Sequence, residues 1–361
     1  MKIAVDCRKI KDGGIGVYLR NLLYQWHKSK VAAQFFLFHL PGDESLLKFD
    51  DGFAELIPHE YRNYSPGELF SFAGPLKRIG ADLFWNPHYT LPLGLPCPAI
   101  VTIHDLIHLE FRPRFGVLGT EYAKFMIGRA CRRARIILTV SEHSKNDIAR
   151  EFPASREKIR VIPNGVNGEV FRPLPAERVT EFQKNYRLPE LFVLYVGALK
   201  KHKNPQALVE IVNKLDTPLV IASHDERIYQ TEILAKIEKR EAVRLVKLND
   251  ENEMALLYNA ARLLVQPSFY EGFGLPPLEA MACGLPVVCS NLSSLPEVVG
   301  DAAELFDPHD LSGMLEHLKH CWRNDGHRDI LRARGIQKAR LFDWGKSASE
   351  IFCLMREAAN K

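Results

Sequence analysis

The sequence lacks any apolar run approaching the roughly 18 residues of a membrane-spanning helix, and its N-terminus opens directly as a strand rather than as a charged and apolar leader. The expectation is a cytoplasmic protein with no spanning segment. Cysteine is scarce: there are seven, an odd number, with no CxxC pair. Cys7, Cys283 and Cys289 sit in apolar segments, which predicts reduced thiols and neither disulfides nor a zinc centre. There is also little net charge. A formal balance of +4 does not support nucleic-acid binding, so any basic function must be local. Short repeats and low-complexity tracts are absent. What is present is ordinary for a globular protein, with 46% hydrophobic and 25% charged residues, and 361 residues suit two domains rather than one.

Both halves of the chain alternate strand and helix patterns, the signature of parallel α/β sheets. In the first half, the strand Met1–Cys7 is followed by the turn Asp12-Gly-Gly-Ile-Gly16 and a helix whose Leu19, Leu22, Leu23 and Trp26 fall on one face. Position 19 is Leu, so the dinucleotide fingerprint GxGxxG is not completed. The turn fits either a backbone approach to a phosphate or sugar, or a plain tight connection. Further strands are expected at Phe35–Leu40, Asp82–Asn86, Ala99–Ile103 and Arg135–Val140, with helices around Gly67–Ile79 and Gly119–Arg133. The proline-marked segment Asn167–Glu190 holds the domain boundary, giving domains over 1–168 and 169–343. The second half has strands at Phe192–Val196, Pro218–Ala222, Val243–Leu248 and Leu263–Gln266, with helices at Ile228–Arg240 and Glu253–Ala261. Segment 344–361 is an amphipathic closing helix, expected to pack back towards the N-terminal domain.

The chemistry-bearing stretch is Ser268-Phe-Tyr-Glu-Gly-Phe-Gly-Leu-Pro-Pro-Leu-Glu279. Pro276 and Pro277 suit a helix start, which leaves Glu271 on a loop and puts Glu279 in the first helical turn. A loop between a strand and a helix in a parallel sheet lies at the carboxyl ends of the strands, where such sheets bind ligands. On the same edge, Tyr195-Val-Gly197-Ala-Leu runs into Lys200-Lys201-His-Lys203-Asn204-Pro205. Asn204 suits an N-cap and Pro205 the first helical position, so the basic cluster sits where amides, helix dipole and ammonium charge all favour an anion. Carboxylates opposite a phosphate suit hydroxyl-rich ligands, because an ionised glutamate accepts from vicinal hydroxyls. Each group also has a bland reading, as a solvated basic turn, a solvated loop glutamate or a charge at a helix start. In the first half, Thr102-Ile-His104-Asp105 ends an apolar strand and can present His104 to a ligand, with Asp105 fixing the ring. A structural strand end is the alternative. Ser141 with Asp147 reads as helix initiation. Arg129, Arg132, Arg133 and Arg135 read as a solvated helix face or as a contact with anionic lipid.

Together these residues resemble family 4 glycosyltransferases of the GT-B fold, a retaining family that uses nucleotide-sugar donors. The most specific stretch, Glu271-Gly-Phe-Gly-Leu-Pro-Pro-Leu-Glu279-Ala-Met-Ala-Cys-Gly-Leu-Pro-Val-Val, resembles the family's EX7E signature and its flanks. Val196-Gly197 with Lys203-Asn204, Pro163-Asn-Gly-Val, Val140-Ser, His104-Asp105 and the Gly14-Ile-Gly16 turn follow in the family's order. The resemblance implies two Rossmann-like domains facing each other across a crevice. It also implies that Glu271 contacts donor-sugar hydroxyls and Glu279 the ribose, and that Gly272, Phe273, Gly274 and Leu275 offer backbone amides to the sugar and phosphates. Lys203 holds the diphosphate, Gly197 lies at the strand end, and Gly14 and Gly16 approach the donor from the first domain. His104 is placed near the transferred sugar, with Asp105 beside it. Many members carry an arginine where this chain has Ala198 and His202, so Lys200 or Lys201 is left to supply that charge.

By the same resemblance, no metal and no further cofactor is required. The acceptor is a saccharide or lipid-linked saccharide, and the enzyme stays cytoplasmic, with peripheral contact at the inner face of an anionic membrane. Asp6-Cys-Arg8 followed by Gly-Ile-Gly-Val-Tyr resembles a subgroup of bacterial surface-polysaccharide mannosyltransferases, which puts GDP-mannose first among donors. The loops Tyr61–Glu68 and Tyr89–Pro98 are expected to shape the acceptor site, and Leu245–Asn249 to affect base selection. An epimerase or hydrolase on the same fold, or an inactive nucleotide-sugar-binding subunit, is the competing reading.

Overall fold

The computed structural model describes residues 1–49, 51–61, 65–215 and 217–360, with backbone alone at 66, 112–115 and 117. Positions 62–64 of the Tyr61–Glu68 loop therefore lie outside the described residues. The chain forms two compact units, Met1–Gly165 with Trp344–Lys361, and Val166–Asp343.

The first unit is a seven-stranded sheet of β1 (Lys2–Asp6), β2 (Gln34–His39), β3 (Ala54–Pro58), β4 (Leu83–Asn86), β5 (Ala99–Thr102), β6 (Ile136–Thr139) and β7 (Ile159–Val161). All its pairings are parallel, in the order β3-β2-β1-β4-β5-β6-β7. β4, β5 and β6 are buried along their whole length, as central strands of a sheet covered on both faces must be. The glycines after β1 are not a separate turn: the helix already begins at Gly13 and runs to Lys28. The expected helix Gly67–Ile79 is divided into a short 3₁₀ turn, Pro66–Leu69, and the helix Ala73–Ile79. The Arg112–Arg133 helix is interrupted at Gly116, whose φ of 68° is left-handed. The closing helix Trp344–Asn360 packs on Gly13–Lys28, where Trp26 Nε1 donates to the Ala348 carbonyl at 2.8 Å.

The second unit is a six-stranded parallel sheet of β8 (Val193–Val196), β9 (Leu219–Ala222), β10 (Val243–Val246), β11 (Leu263–Gln266), β12 (Val287–Ser290) and β13 (Glu304–Phe306). Its order, β10-β9-β8-β11-β12-β13, repeats the winding of the first sheet. The expected helix Ile228–Arg240 is not continuous; a π turn at Tyr229–Ile233 and 3₁₀ turns at Leu234–Lys236 and Arg240–Ala242 replace it. Tyr229, Ile233 and Ile237 are each buried in the core, and this packing overrides the run's intrinsic helix preference. Three elements not read from the sequence close this unit: β13 and the helices Leu311–Arg323 and Asp325–Ala339.

The topology places the ligand edge. In each sheet the winding direction reverses once, between β1 and β4 and again between β8 and β11, and the loops leaving those strands lie where open parallel sheets bind their ligands. The basic segment follows β8 and the glutamate loop follows β11. Because β8 pairs with β11, the two are neighbours.

Candidate functional site

Glu271 is the centre of the second unit's switch point. It is buried at 6% exposure, and every polar atom of its side chain is engaged. Its Oε1 accepts from Ser268 Oγ at 2.8 Å and from Gln266 Nε2 at 2.9 Å, while Oε2 is paired with Lys203 Nζ. Gln266 is the last residue of β11, so the strand itself supplies one of the donors. Burial pushes the Glu271 carboxyl up, but the Lys203 charge and the hydrogen bonds from Lys203, Ser268 and Gln266 outweigh it and hold the group below the ordinary carboxylate range. Glu271 is therefore an ionised, rigidly held acceptor.

The loop backbone is fastened by residues the sequence reading missed. Ser293 Oγ accepts the Glu271 N–H at 2.9 Å, and the buried Ser294 hydroxyl lies 2.9 Å from the Glu271 carbonyl and 2.8 Å from that of Phe273. Both serines follow β12, the next strand in the sheet. A Ser-Asn-Leu-Ser-Ser run after an apolar strand reads only as a polar loop, and its register against Glu271 appears only once the sheet order is known. From the other side, the His202 carbonyl accepts the Phe269 N–H at 2.8 Å, tying the basic segment to the glutamate loop.

Gly274 precedes the helix Leu275–Ala282 at φ 115°, and a Cβ there would lie 2.8 Å from Leu295 Cδ2, so conformation and space both demand glycine. Leu275 is the first helical residue and Pro276 and Pro277 carry no N–H, which makes Leu275 the one amide donor among the first three. Glu279 is then the fifth helical residue rather than a first-turn one, so compensation of the helix dipole does not explain it. The Tyr258 hydroxyl donates to its Oε2 at 2.9 Å. Burial pushes the Glu279 carboxyl up to about 8, with Tyr258 opposing the shift and the Glu251 charge adding to it. The two glutamates thus have separate partners and opposite protonation at neutral pH.

Within the basic segment, Gly197 follows β8 at φ 143°, and the Tyr195 hydroxyl donates to the Ala198 carbonyl at 2.9 Å. Asp225 accepts the Leu199 N–H at 2.7 Å. These bonds fix the path into the 3₁₀ turn Lys201–Lys203. Lys200 and Lys201 are exposed, in contrast to Lys203, which turns inward to Glu271. Asn204 does not take an ordinary N-cap conformation; it is left-handed at φ 54°, and its amide donates to the Pro308 carbonyl at 3.4 Å. A cavity of about 500 Å³ beside β10 takes in Leu245 and Lys247, from the segment expected to affect base selection, but is lined by none of Lys203, Glu271 or Glu279.

In the first unit, His104 follows β5. Its Nε2 lies 3.0 Å from the Pro87 carbonyl, and Tyr18 packs on the ring edge-on at 4.9 Å. A nitrogen facing a carbonyl must carry the proton, so in the neutral ring Nδ1 is the acceptor. Burial lowers the His104 pKa, with Asp105 and the Pro87 contact opposing it, and keeps the ring neutral. Asp105 Oδ1 accepts the Ile107 N–H at 3.0 Å, and the Asp105 charge acts on the neighbouring His104 ring, which the Pro87 carbonyl and Tyr18 contact directly. Gly16 also has a structural reason, since a Cβ there would stand 2.3 Å from the Ile10 carbonyl oxygen. Gly14 differs, with nothing within 4 Å of such an atom.

A buried arginine holds the first of the two loops expected to shape the acceptor site, and Glu68 joins that loop to the second. Arg8 donates through Nε and Nη2 to Asp6 at 2.8 and 2.6 Å, through Nη2 to Glu68 at 2.7 Å and through Nη1 to the Tyr61 carbonyl at 2.7 Å. Thr90 Oγ1 donates to the same Glu68 oxygen at 2.9 Å. The arginine cluster divides. Arg129 donates to the Leu91 and Pro92 carbonyls and Arg135 to that of Ala358, leaving Arg132 and Arg133 exposed. Ser141 caps its helix as expected, accepting the Ser144 N–H at 3.1 Å.

The model of "Glycosyltransferase Family 4" matches residues 12–170, and that of "Glycosyl transferases group 1" matches residues 177–341. The O-antigen chain mannosyltransferase B of Escherichia coli is 33% identical over 275 residues, covering 73% of this chain and 71% of the relative. The chain belongs to glycosyltransferase family 4. The serotype-specific mannosyltransferase WbdA of Escherichia coli is 27% identical over 71% of the enzyme, which spans about a third of that longer relative (33%). In fold, the enzyme matches sucrose-phosphate synthase from Thermosynechococcus elongatus with a TM-score of 0.82 at 20% identity, over 99% and 98% of the two chains. The architecture is GT-B, with two parallel-sheet α/β domains. Among the described residues, no helix of the transferase is long and apolar enough to cross a membrane.

Proposed function

We propose that the enzyme transfers mannose from GDP-mannose, with retention of anomeric configuration, to a saccharide or lipid-linked saccharide in surface-polysaccharide synthesis. The observation that carries the reading is the Lys203–Glu271 pair at the β8/β11 switch point. Lys203 neutralises Glu271 when no ligand is bound. An arriving diphosphate offers Lys203 a second anion, which releases Glu271 Oε2 to accept from a sugar hydroxyl while Oε1 stays fixed by Ser268 and Gln266. The mannose assignment rests on the names of the relatives and on Asp6-Cys-Arg8 with the Gly-Ile-Gly-Val-Tyr that follows it.

In this reading Glu279 takes the ribose hydroxyls, and the amides of Gly272, Phe273, Gly274 and Leu275 line the sugar and phosphates. Gly197 lets the backbone approach, and Lys200 and Lys201 add cationic charge at the diphosphate. Gly14 leaves room at a helix start, and His104 accepts through Nδ1 from a hydroxyl of the transferred sugar. The acceptor oxygen attacks the anomeric carbon as the bond to the phosphate oxygen breaks, and the acceptor proton passes to that departing oxygen. Preorganised amides and lysines stabilise the growing phosphate charge, so no protein nucleophile is required. Arg132 and Arg133 would face anionic lipid at the cytoplasmic face. Incubation with a panel of nucleotide sugars and lipid-linked acceptors tests the reading; GDP release and a mannosylated product are the expected outcome.

A further inference from the structure

We propose that Glu304, Cys321 and His327 form a zinc-binding site that joins the edge strand of the second unit to its two last helices, with His317 holding Glu304 in place. Their ligand atoms all lie within 4.8 Å of one another. Glu304 opens β13, Cys321 and His317 lie one turn apart on the helix Leu311–Arg323, and His327 is in the first turn of Asp325–Ala339. The three ligands come from one strand and two helices, so the absence of CxxC in the sequence said nothing about them. Only the fold assembles the set.

The arrangement has the parts that a zinc site needs. His327 Nε2 is 2.9 Å from Glu304 Oε2, and His317 Nδ1 is 2.7 Å from Glu304 Oε1. Two imidazoles thus converge on one carboxylate while a buried thiol stands beside it. A tetrahedral zinc ion spaces its ligand atoms by about 3.3–3.8 Å, given bonds of about 2.0–2.3 Å, so small side-chain rotations close the set around an ion. Thiolate, imidazole and carboxylate together favour zinc over magnesium or calcium. Glu304 would bind through Oε2 and keep Oε1 for the His317 N–H, the outer-sphere bond that commonly orients a ligating group. Water fills the fourth position. Without an ion, burial and the Glu304 charge push the Cys321 thiol up to about 12, so binding must release its proton to solvent as the metal gives up a water. The positive Arg328, which donates to the Cys321 carbonyl at 2.6 Å, favours the thiolate.

The test uses the full chain, stripped with a chelator and titrated with Zn²⁺ and separately with Co²⁺. About one ion per chain is expected, with a cobalt–thiolate charge-transfer band and a metal-dependent rise in Tm. Cys321→Ser should abolish the band, and Cys321→Ser and His327→Gln should each weaken Zn²⁺ binding by roughly tenfold or more. His317→Gln should keep the band but weaken binding by roughly 10- to 100-fold. His327 is half-buried rather than in the core, so its variant serves if Cys321→Ser does not fold. Wild-type protein that shows no thiolate band, or Zn²⁺ binding unchanged in His327→Gln, would overturn the proposal.

Discussion

Lys203 and Glu271, 68 positions apart in sequence, form a largely buried ion pair across the β8/β11 switch point. The folded-state pKa of Glu271 is depressed, so its contribution to stability is complete above the unfolded value of about 4.3 and is lost as pH falls through the lower folded value. The stability difference between wild type and Glu271→Gln, measured by urea unfolding, should therefore shrink as pH falls below about 4. Removing either partner should raise the donor KM. A double-mutant cycle on Lys203→Ala and Glu271→Ala should be non-additive by about 0.5–3 kcal/mol, and additive effects would refute the pair.

Glu279 behaves in the opposite sense. Its folded pKa of about 8 lies above the unfolded value, so the folded state holds an extra proton and stability declines as pH rises between about 4.3 and 8. Glu279→Gln, which mimics the protonated group, should flatten that decline in a Tm-against-pH series. If ribose binding draws on the carboxylate form, calorimetry in buffers of different ionisation enthalpy should record proton release when nucleotide binds near neutral pH, and Glu279→Ala should weaken that binding.

His104 is held neutral by burial, with its proton on Nε2. His104→Ala should lower kcat by roughly 10²-fold with a smaller change in donor KM. The wild-type rate should show no loss attributable to this residue between pH 8 and 6.5. A steep fall there that disappears in His104→Ala would contradict the assignment.

Arg8 satisfies Asp6, Glu68 and the Tyr61 carbonyl at once. Its replacement leaves two buried carboxylates uncompensated, so Arg8→Met should destabilise the enzyme by about 3–5 kcal/mol in chemical unfolding. Because the lost bonds release the Tyr61 and Glu68 loop, acceptor KM should rise more than donor KM.

The sequence made legible whatever is local in the chain. Alternating apolar strands and amphipathic helices revealed two parallel sheets, and the prolines after Gly274 revealed the helix start behind the glutamate loop. Contacts made by the sheet order were hidden. Ser293 and Ser294 reach Glu271 because β12 neighbours β11, and Pro87 reaches His104 because β4 neighbours β5. The bond from the Ile107 N–H to Asp105 Oδ1 was likewise not legible in the sequence. The run after β9 has helical composition, but burying Tyr229, Ile233 and Ile237 together forces π and 3₁₀ turns. The short edge strand β13 has too few residues to show a period.

The most direct test is a transfer assay with GDP-mannose, UDP-glucose and UDP-N-acetylglucosamine, each offered with a lipid-linked saccharide acceptor, for wild type and Glu271→Ala. The account predicts acceptor-dependent release of GDP with an α-linked mannosyl product, lost in Glu271→Ala. Transfer from a UDP-sugar in preference to GDP-mannose, or wild-type turnover by Glu271→Ala, would contradict it.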